Sequence, residues 1–279
     1  MLLAILLLTL IYPFSHQSPL TDAVSDGNYK VAQHLLAEKS SNLEELDENG
    51  NTALNIAIFN SNLPIVRDLL LYQANANYRP PSASPPIAIA AFNGNREIVK
   101  LLIGFNAVIN YEDSDGFSPV LIAATNGHSK VVQLLLEHRA EVDRCTNRGN
   151  TALIMAARGA YPAVINLLIQ HGANVNRANK DGNTPILSLV SRADVPFAWF
   201  RESVKLLVEA RADLNVKNFN GHNIIHLLKL NPHYEMMVPH LPGCSDDSMA
   251  PGQGNFDPDE AMFDTMYILE YISALPDCT

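Results

Sequence analysis

Nine histidines and three cysteines are the residues of this chain with the widest chemical reach. A histidine can ligate metal or move protons near neutral pH, and a thiolate can ligate or attack. Their spacing supports neither use. Cys145, Cys244 and Cys278 lie far apart, with no Cys-x-x-Cys and no Cys/His cluster. Neither a zinc site nor a disulfide framework is indicated, and a reduced compartment fits that usage. Two carboxylate pairs, Glu44/Glu45 and Asp246/Asp247, fall in connector-like stretches and read as solvated. There is no Gly-x-Ser-x-Gly elbow, no phosphate-cradling glycine loop with lysine and no His-Glu-x-x-His helix. The expectation is a chain that is no enzyme and holds no cofactor or metal. A net charge of −10, from 29 acidic and 19 basic residues, argues against nucleic acid, which needs a basic face. With 47% hydrophobic residues the chain can build a core.

The elements that would position any functional side chain follow from one spacing. Leu54, Ile87, Val120, Leu153 and Ile186 recur every 33 residues, and a fixed period in that range marks a stack of repeats. The stretch Asn147–Asn176 is one unit. It has a turn at Arg148-Gly149-Asn150, a helix start at Thr151-Ala152-Leu153, small residues Ala156 and Ala157, and a second helix with Leu167 and Leu168. It closes in Gly172-Ala173-Asn174-Val175-Asn176. The unit at Asp115–Asp143 repeats this with Gly116, Ser118-Pro119, Ala123, Ala124, Gly127-His128, Leu134 and Leu135. Earlier units start near Ser18, with Pro19 at a first helical position, and at Asn49-Gly50. The third turn, Tyr78–Pro86, is proline-rich with Ala83 at the glycine position, and a distorted finger is expected there. Ala160 stands where the inter-helix glycine belongs. In the sixth unit the paired leucines, Leu206 and Leu207, fall six residues late. The inserted residues lie within Ala193–Arg201 and include Phe197, Trp199 and Phe200. A seventh, incomplete unit runs from Asn220 to Leu228.

This pattern resembles the ankyrin repeat, whose signature is a glycine turn, Thr-Pro-Leu-His, two alanines, Gly-His and a closing Gly-Ala-x-x-Asn. The resemblance implies an all-α solenoid of six to seven helix-turn-helix repeats with β-hairpin or turn fingers. It also implies a non-enzymatic interaction module whose partner proteins sit on turn tips and on the exposed edge of the inner helices. Carried over by register, the candidate partner-binding residues are Phe59, Asn60, Phe92, Asn93, Phe117, Thr125, Asn126, Arg148, Arg158, Phe219 and His222. Trp199 joins them from the insertion. The four phenylalanines are either interface anchors or rings packed on the next repeat. The insertion is either a binding cluster or a segment folded over the outer helices. His128 and His226 occupy positions that the family gives to structural histidine. Asn77, Asn110, Asn176 and Asn215, each eight residues after a leucine, have the spacing of the family's asparaginyl-hydroxylation targets.

The expected organisation is an apolar leader (1–17), a solenoid (18–230), a Pro/Gly-rich linker (231–258) and a capping helix with tail (259–279). Met1–Tyr12 is apolar but too short for a bilayer, which needs about 20 residues. It has the length of a signal-peptide core, yet no Lys or Arg precedes it and no cleavage-like motif follows. It is an anchor, a signal or a hydrophobic cap. A cytoplasmic monomer is expected, with secretion or membrane association through residues 1–12 as the alternative. An array that is the regulatory portion of a larger enzyme is a further alternative.

Overall fold

The computed structural model describes residues 19–38, 41–81, 84–192 and 195–230. The apolar leader, the proline-rich linker and the capping helix lie outside these, as does Ala83 of the third turn. Contacts divide the chain into two compact units at Ile109/Asn110.

Among the described residues the amino-terminal unit holds three helix pairs: α1 (Pro19–Ser25) with α2 (Tyr29–Ala37), α3 (Ala53–Phe59) with α4 (Leu63–Leu71), and α5 (Pro86–Phe92) with α6 (Arg96–Gly104). The inner helices α1, α3 and α5 pack in sequence, and so do the outer helices α2, α4 and α6. The carboxyl-terminal unit repeats the scheme. Its pairs are α7 (Pro119–Thr125) with α8 (Ser129–Glu137), α9 (Ala152–Arg158) with α10 (Pro162–Gln170), and α11 (Pro185–Val190) with α12 (Phe197–Glu209); α13 (Ile224–Lys229) follows α11 on the inner side.

The 33-residue apolar position is the core. Leu54, Ile87, Val120, Leu153 and Ile186 are all buried, each stabilising by about 1.5–3 kcal/mol. Alanines at 57, 90, 91, 123, 124, 156 and 157 are buried too; their small volume lets neighbouring inner helices approach. Thr52 and Thr151 start α3 and α9, their hydroxyls accepting from the amides of Asn55 and Ile154. This satisfies one of the orphan amides of a helix start. Asn62 and Asn95 do the same for α4 and α6.

Among the described residues the fingers are turns. The turns carry only isolated antiparallel bridges, Leu46 with Thr52 and Cys145 with Thr151.

The link between paired helices needs left-handed backbone. Glycine supplies it at 27, 94 and 127, but Ser61 (φ 53°) and Ala160 (φ 49°) hold the same conformation. A left-handed residue with a Cβ costs about 1–2 kcal/mol. The insertion in the sixth repeat is helical. The other outer helices span nine residues and α12 spans 13, so most of the extra chain extends its amino-terminal end. Phe200 there is 0% exposed, while Trp199 is 49% exposed. Phe200 and Trp199 are therefore split between core and surface.

Ser61→Gly is expected to stabilise the fold by about 0.5–1 kcal/mol, since Ser61 is exposed and loses no buried contact. A lower urea midpoint would contradict the strain. Phe200→Ala is expected to cost about 3–5 kcal/mol as a core truncation. Trp199→Ala should cost below about 1.5 kcal/mol, and equal losses on chemical denaturation would show that both rings are structural.

Candidate functional site

Each described turn tip is held by one side chain at its base. Asp113 Oδ1 accepts from the amides of Asp115 and Phe117 at 2.9 and 2.7 Å. Asp47 holds Asn49 and Asn51 in the same way, Asn179 holds Asp181 and Asn183, and Asn218 holds Asn220 and His222. The tip then needs positive φ, which Gly116 and Gly182 supply. In the carboxyl-terminal unit successive turns are also stitched together. The amides of Asn147, Lys180 and Phe219 donate to the carbonyls of Asp115, Arg148 and Asp181 at 2.8–3.0 Å.

A second ladder runs between repeats. Asn110 Oδ1 accepts from the Glu141 amide, and its Nδ2 donates to the Arg139 carbonyl. Asn77 joins Val108 and Asn106 likewise, and Asn176 joins Asp213 and Arg211. Asp143 accepts from the Asn174 amide. The spacing of these asparagines was visible in the sequence, but their role in fastening each repeat to the next was not.

On this scaffold the candidate residues fall into distinct groups. Phe59 and Phe92, the last residues of α3 and α5, are 52% and 60% exposed. Asn93 Nδ2 donates to the carbonyls of Ile58 and Phe59 at 3.0 and 3.3 Å, which ties the end of α5 to the end of α3 and makes the two rings neighbours in register. Asn60 beside them is exposed. Thr125 and Asn126, in the same register, are half-buried and fold back on the carbonyls of Leu121 and Ile122. Arg158 continues the row and is exposed, as is Arg148 at its turn tip.

Phe117 is half-buried at its tip. Phe219 is 80% exposed and rests against Gly182, where a Cβ would come within 2.9 Å of the ring. His222 stacks on His226, with ring centroids 4.2 Å apart. Trp199 meets Tyr161 at 6.4 Å; Tyr161 in turn covers Gly127 and Gly159, where a Cβ would clash with its ring. Cys145 accepts a contact from Arg177 at 3.3 Å. Among the described residues no group of His, Cys, Asp and Glu is arranged to hold a metal. No described helix is long and apolar enough to cross a membrane.

Sequence reasoning missed an acidic cluster in the amino-terminal unit. Asp22 on α1 is half-buried, and that burial, with the charges of Asp26, Glu48 and Asp47, pushes its carboxyl above the usual value of 3.8. Its charged form is disfavoured in the fold. Stability is therefore full below the unfolded value and falls as pH rises through the folded one. Asp22→Asn should raise the melting temperature at pH 7, and the advantage should vanish below pH 3.8. A gain that persists in acid would assign the effect to something other than charge. In the other unit, hydrogen bonding to Arg144 holds Glu112 below the ordinary carboxylate range.

Comparison with known proteins agrees with this architecture. The family profile described as ankyrin repeats (3 copies) matches residues 4–80 and 87–179. Alpha-latrotoxin-Lg1a of Latrodectus geometricus is 34% identical over 64 residues, which is 22% of this chain and 5% of that protein's length. Among solved structures, the human ASB11 ankyrin repeat domain superposes with a TM-score of 0.68 at 19% identity, covering 94% of this chain and 100% of that one. The ankyrin repeat domain of Bcl-3, a member of the IkappaB protein family, gives 0.64 at 23% identity, covering 77% and 95%. With its period, its buried apolar position and more than half its length matched, this chain belongs to the ankyrin-repeat family.

Proposed function

We propose that this chain is a non-enzymatic interaction module that binds partner proteins through the exposed edges of its inner helices and its turn tips. Ankyrin repeats are generally protein–protein interaction modules, and Phe59, Phe92 and Phe219 stand exposed on those edges and tips. The observation that carries the reading is the exposure of Phe59, Phe92 and Phe219 on elements pinned by inter-repeat hydrogen bonds. A rigid, exposed ring loses little entropy on binding and anchors an interface. Trp199 on α12, with Tyr161, is a separate candidate on the outer-helix side. Arg148 and Arg158 are rim charges that would set partner choice.

The reading places the protein in the cytoplasm, consistent with its cysteine usage. A second reading, export of the chain through Met1–Tyr12, is favoured by the apolar length of that segment.

The test is proximity labelling and affinity capture with the full-length protein in its own cells, taking cytosol and medium separately and identifying its amino-terminal residue by mass spectrometry. Phe59→Ser/Phe92→Ser, Phe219→Ser and Trp199→Ala should each lose a defined subset of partners from cytosol without a change in melting temperature. Identical partner sets for all variants would overturn the interaction surface. A processed chain starting near Ser15–Ser18 in the medium would replace the cytoplasmic placement with export.

A further inference from the structure

We propose that the acidic carboxyl-terminal stretch of this chain docks on the chain's own turn tips, with Asp257, Asp259 and Glu260 pairing with Lys180 and Arg148. The inference rests on the interaction reading above, which gives those tips to partners, and adds an autoinhibitory occupant supplied by the chain itself. It begins with two cations that the fold brings together. The Lys180 amide donates to the Arg148 carbonyl at 3.0 Å, so the two tips touch although they belong to successive repeats. Both side chains are exposed, and none of the ion pairs among the described residues involves either. Like charges on touching tips repel. A carboxylate set between them relieves that cost, and a planar guanidinium can take both of its oxygens at once.

The other glycine tips lack this charge. At the same two places they carry Glu48-Asn49, Ser114-Asp115 and Phe219-Asn220, with no cation. Along the ladder the basic pair is flanked by Asp115, whose carbonyl takes the Asn147 amide, and by Asp181, whose carbonyl takes the Phe219 amide. The basic place is therefore narrow and suits a short acidic segment. Arg158, exposed at the end of α9, adds a third cation in the repeat of Arg148. The next step of the ladder is Phe219, whose ring is 80% exposed. The chain holds the complement. Residues 231–279 carry nine Asp and Glu and no Lys or Arg. Within them Phe256-Asp257-Pro258-Asp259-Glu260 sets an aromatic residue before three carboxylates, the order in which the ladder offers Phe219, Lys180 and Arg148. The stretch leaves the described chain at Leu230, after α13, whose cap Asn223 lies just past the Phe219 tip. Residues 231–256 can span up to about 90 Å, so length is no barrier. Each exposed pair is weak alone, but a tether raises the effective concentration at which the pairs form.

The experiment is zero-length cross-linking of the full-length protein with a water-soluble carbodiimide, which joins a lysine amine to a carboxylate in direct contact, followed by mass spectrometry of the monomer band. Lys180 should cross-link to Asp257, Asp259 or Glu260 at least about tenfold more than Lys130, also exposed, on the outer helix α8. The yield should fall at least about fivefold between about 50 and 300 mM salt as exposed charges are screened. Arg148→Ser should lower it at least about threefold, and Arg148→Lys should restore it with a second cross-link from position 148. Phe219→Ser should lower it as well. A labelled synthetic peptide of residues 254–263, followed by fluorescence anisotropy, should bind the Asp257→Asn/Asp259→Asn/Glu260→Gln protein at least about tenfold more tightly than the unsubstituted protein, whose own segment competes.

Equal yields from Lys180 and Lys130 would reduce the contact to diffuse charge attraction and overturn the site. Cross-links present in dimers and absent from monomers would overturn the intramolecular contact and assign the segment to a second copy. Equal peptide affinity for the two proteins would overturn the occupancy of the tips. Absence of a Lys180 cross-link to residues 257–260 would overturn this proposal alone, since the capture experiment with the Phe59, Phe92 and Trp199 variants decides the broader reading independently.

Discussion

A two-helix repeat of this size cannot bury both of its faces, and every other feature follows from that constraint. An inner helix of six or seven residues makes fewer than two turns, far below the length at which an isolated helix holds in water. Its stability comes from the neighbour on either side. The recurring apolar position at Leu54, Ile87, Val120, Leu153 and Ile186 is where that burial happens. The alanines beside it set how close the next helix can come. Hydrogen bonds then fix the register. The Asn110 amide and the turn-to-turn bonds from Asn147, Lys180 and Phe219 leave successive repeats little freedom to slide. Nearest-neighbour stacking of this kind makes stability a sum of local terms.

Because the terms are local, local faults are tolerated. Ser61 and Ala160 sit in left-handed backbone that glycine would hold without strain, yet the helices on both sides keep their places. The insertion before Phe200 is absorbed in the same way. Extra residues lengthen the start of α12 rather than disturb α11 or α13, and Phe200 contributes a fully buried ring. The outer helix grows at its amino-terminal end, where Trp199 meets Tyr161 of the preceding repeat. An inner helix has no such freedom, since both of its sides are in contact, and all the described inner helices run to six or seven residues.

Most of the fold could be read from residue spacing alone. The helix starts at Thr52 and Thr151, the glycine turns at 116, 149 and 182, and the six-residue delay at Leu206 all have a one-dimensional signature. What could not be read was which oxygen satisfies which amide. The fingers could be hairpins or turns by spacing; in the turns Asp113, Asn179 and Asn218 take tip amides onto their own side chains. The surface was legible only in part. Register placed Phe59, Phe92, Thr125 and Arg158 in one row; it could not tell that Thr125 turns back to its own helix while Phe59 does not. The acidic cluster was missed because Asp22 lies about 25 residues before Asp47 and Glu48 in sequence, and only folding brings their charges together.

The row itself explains how one scaffold can carry different specificities. Ser25, Phe59, Phe92, Thr125, Arg158 and Ser191 occupy equivalent places near the ends of inner helices, and none is among the buried residues. Nothing in the packing prescribes what stands there, so chemistry can change along the chain without cost to the core. In the amino-terminal unit two of these places hold aromatic rings, Phe59 and Phe92. In the carboxyl-terminal unit that freedom is used for Arg158, with Arg148 and Lys180 on the adjoining turn tips; none of the ion pairs among the described residues involves these three. The equivalent places therefore differ in chemistry from one unit to the other.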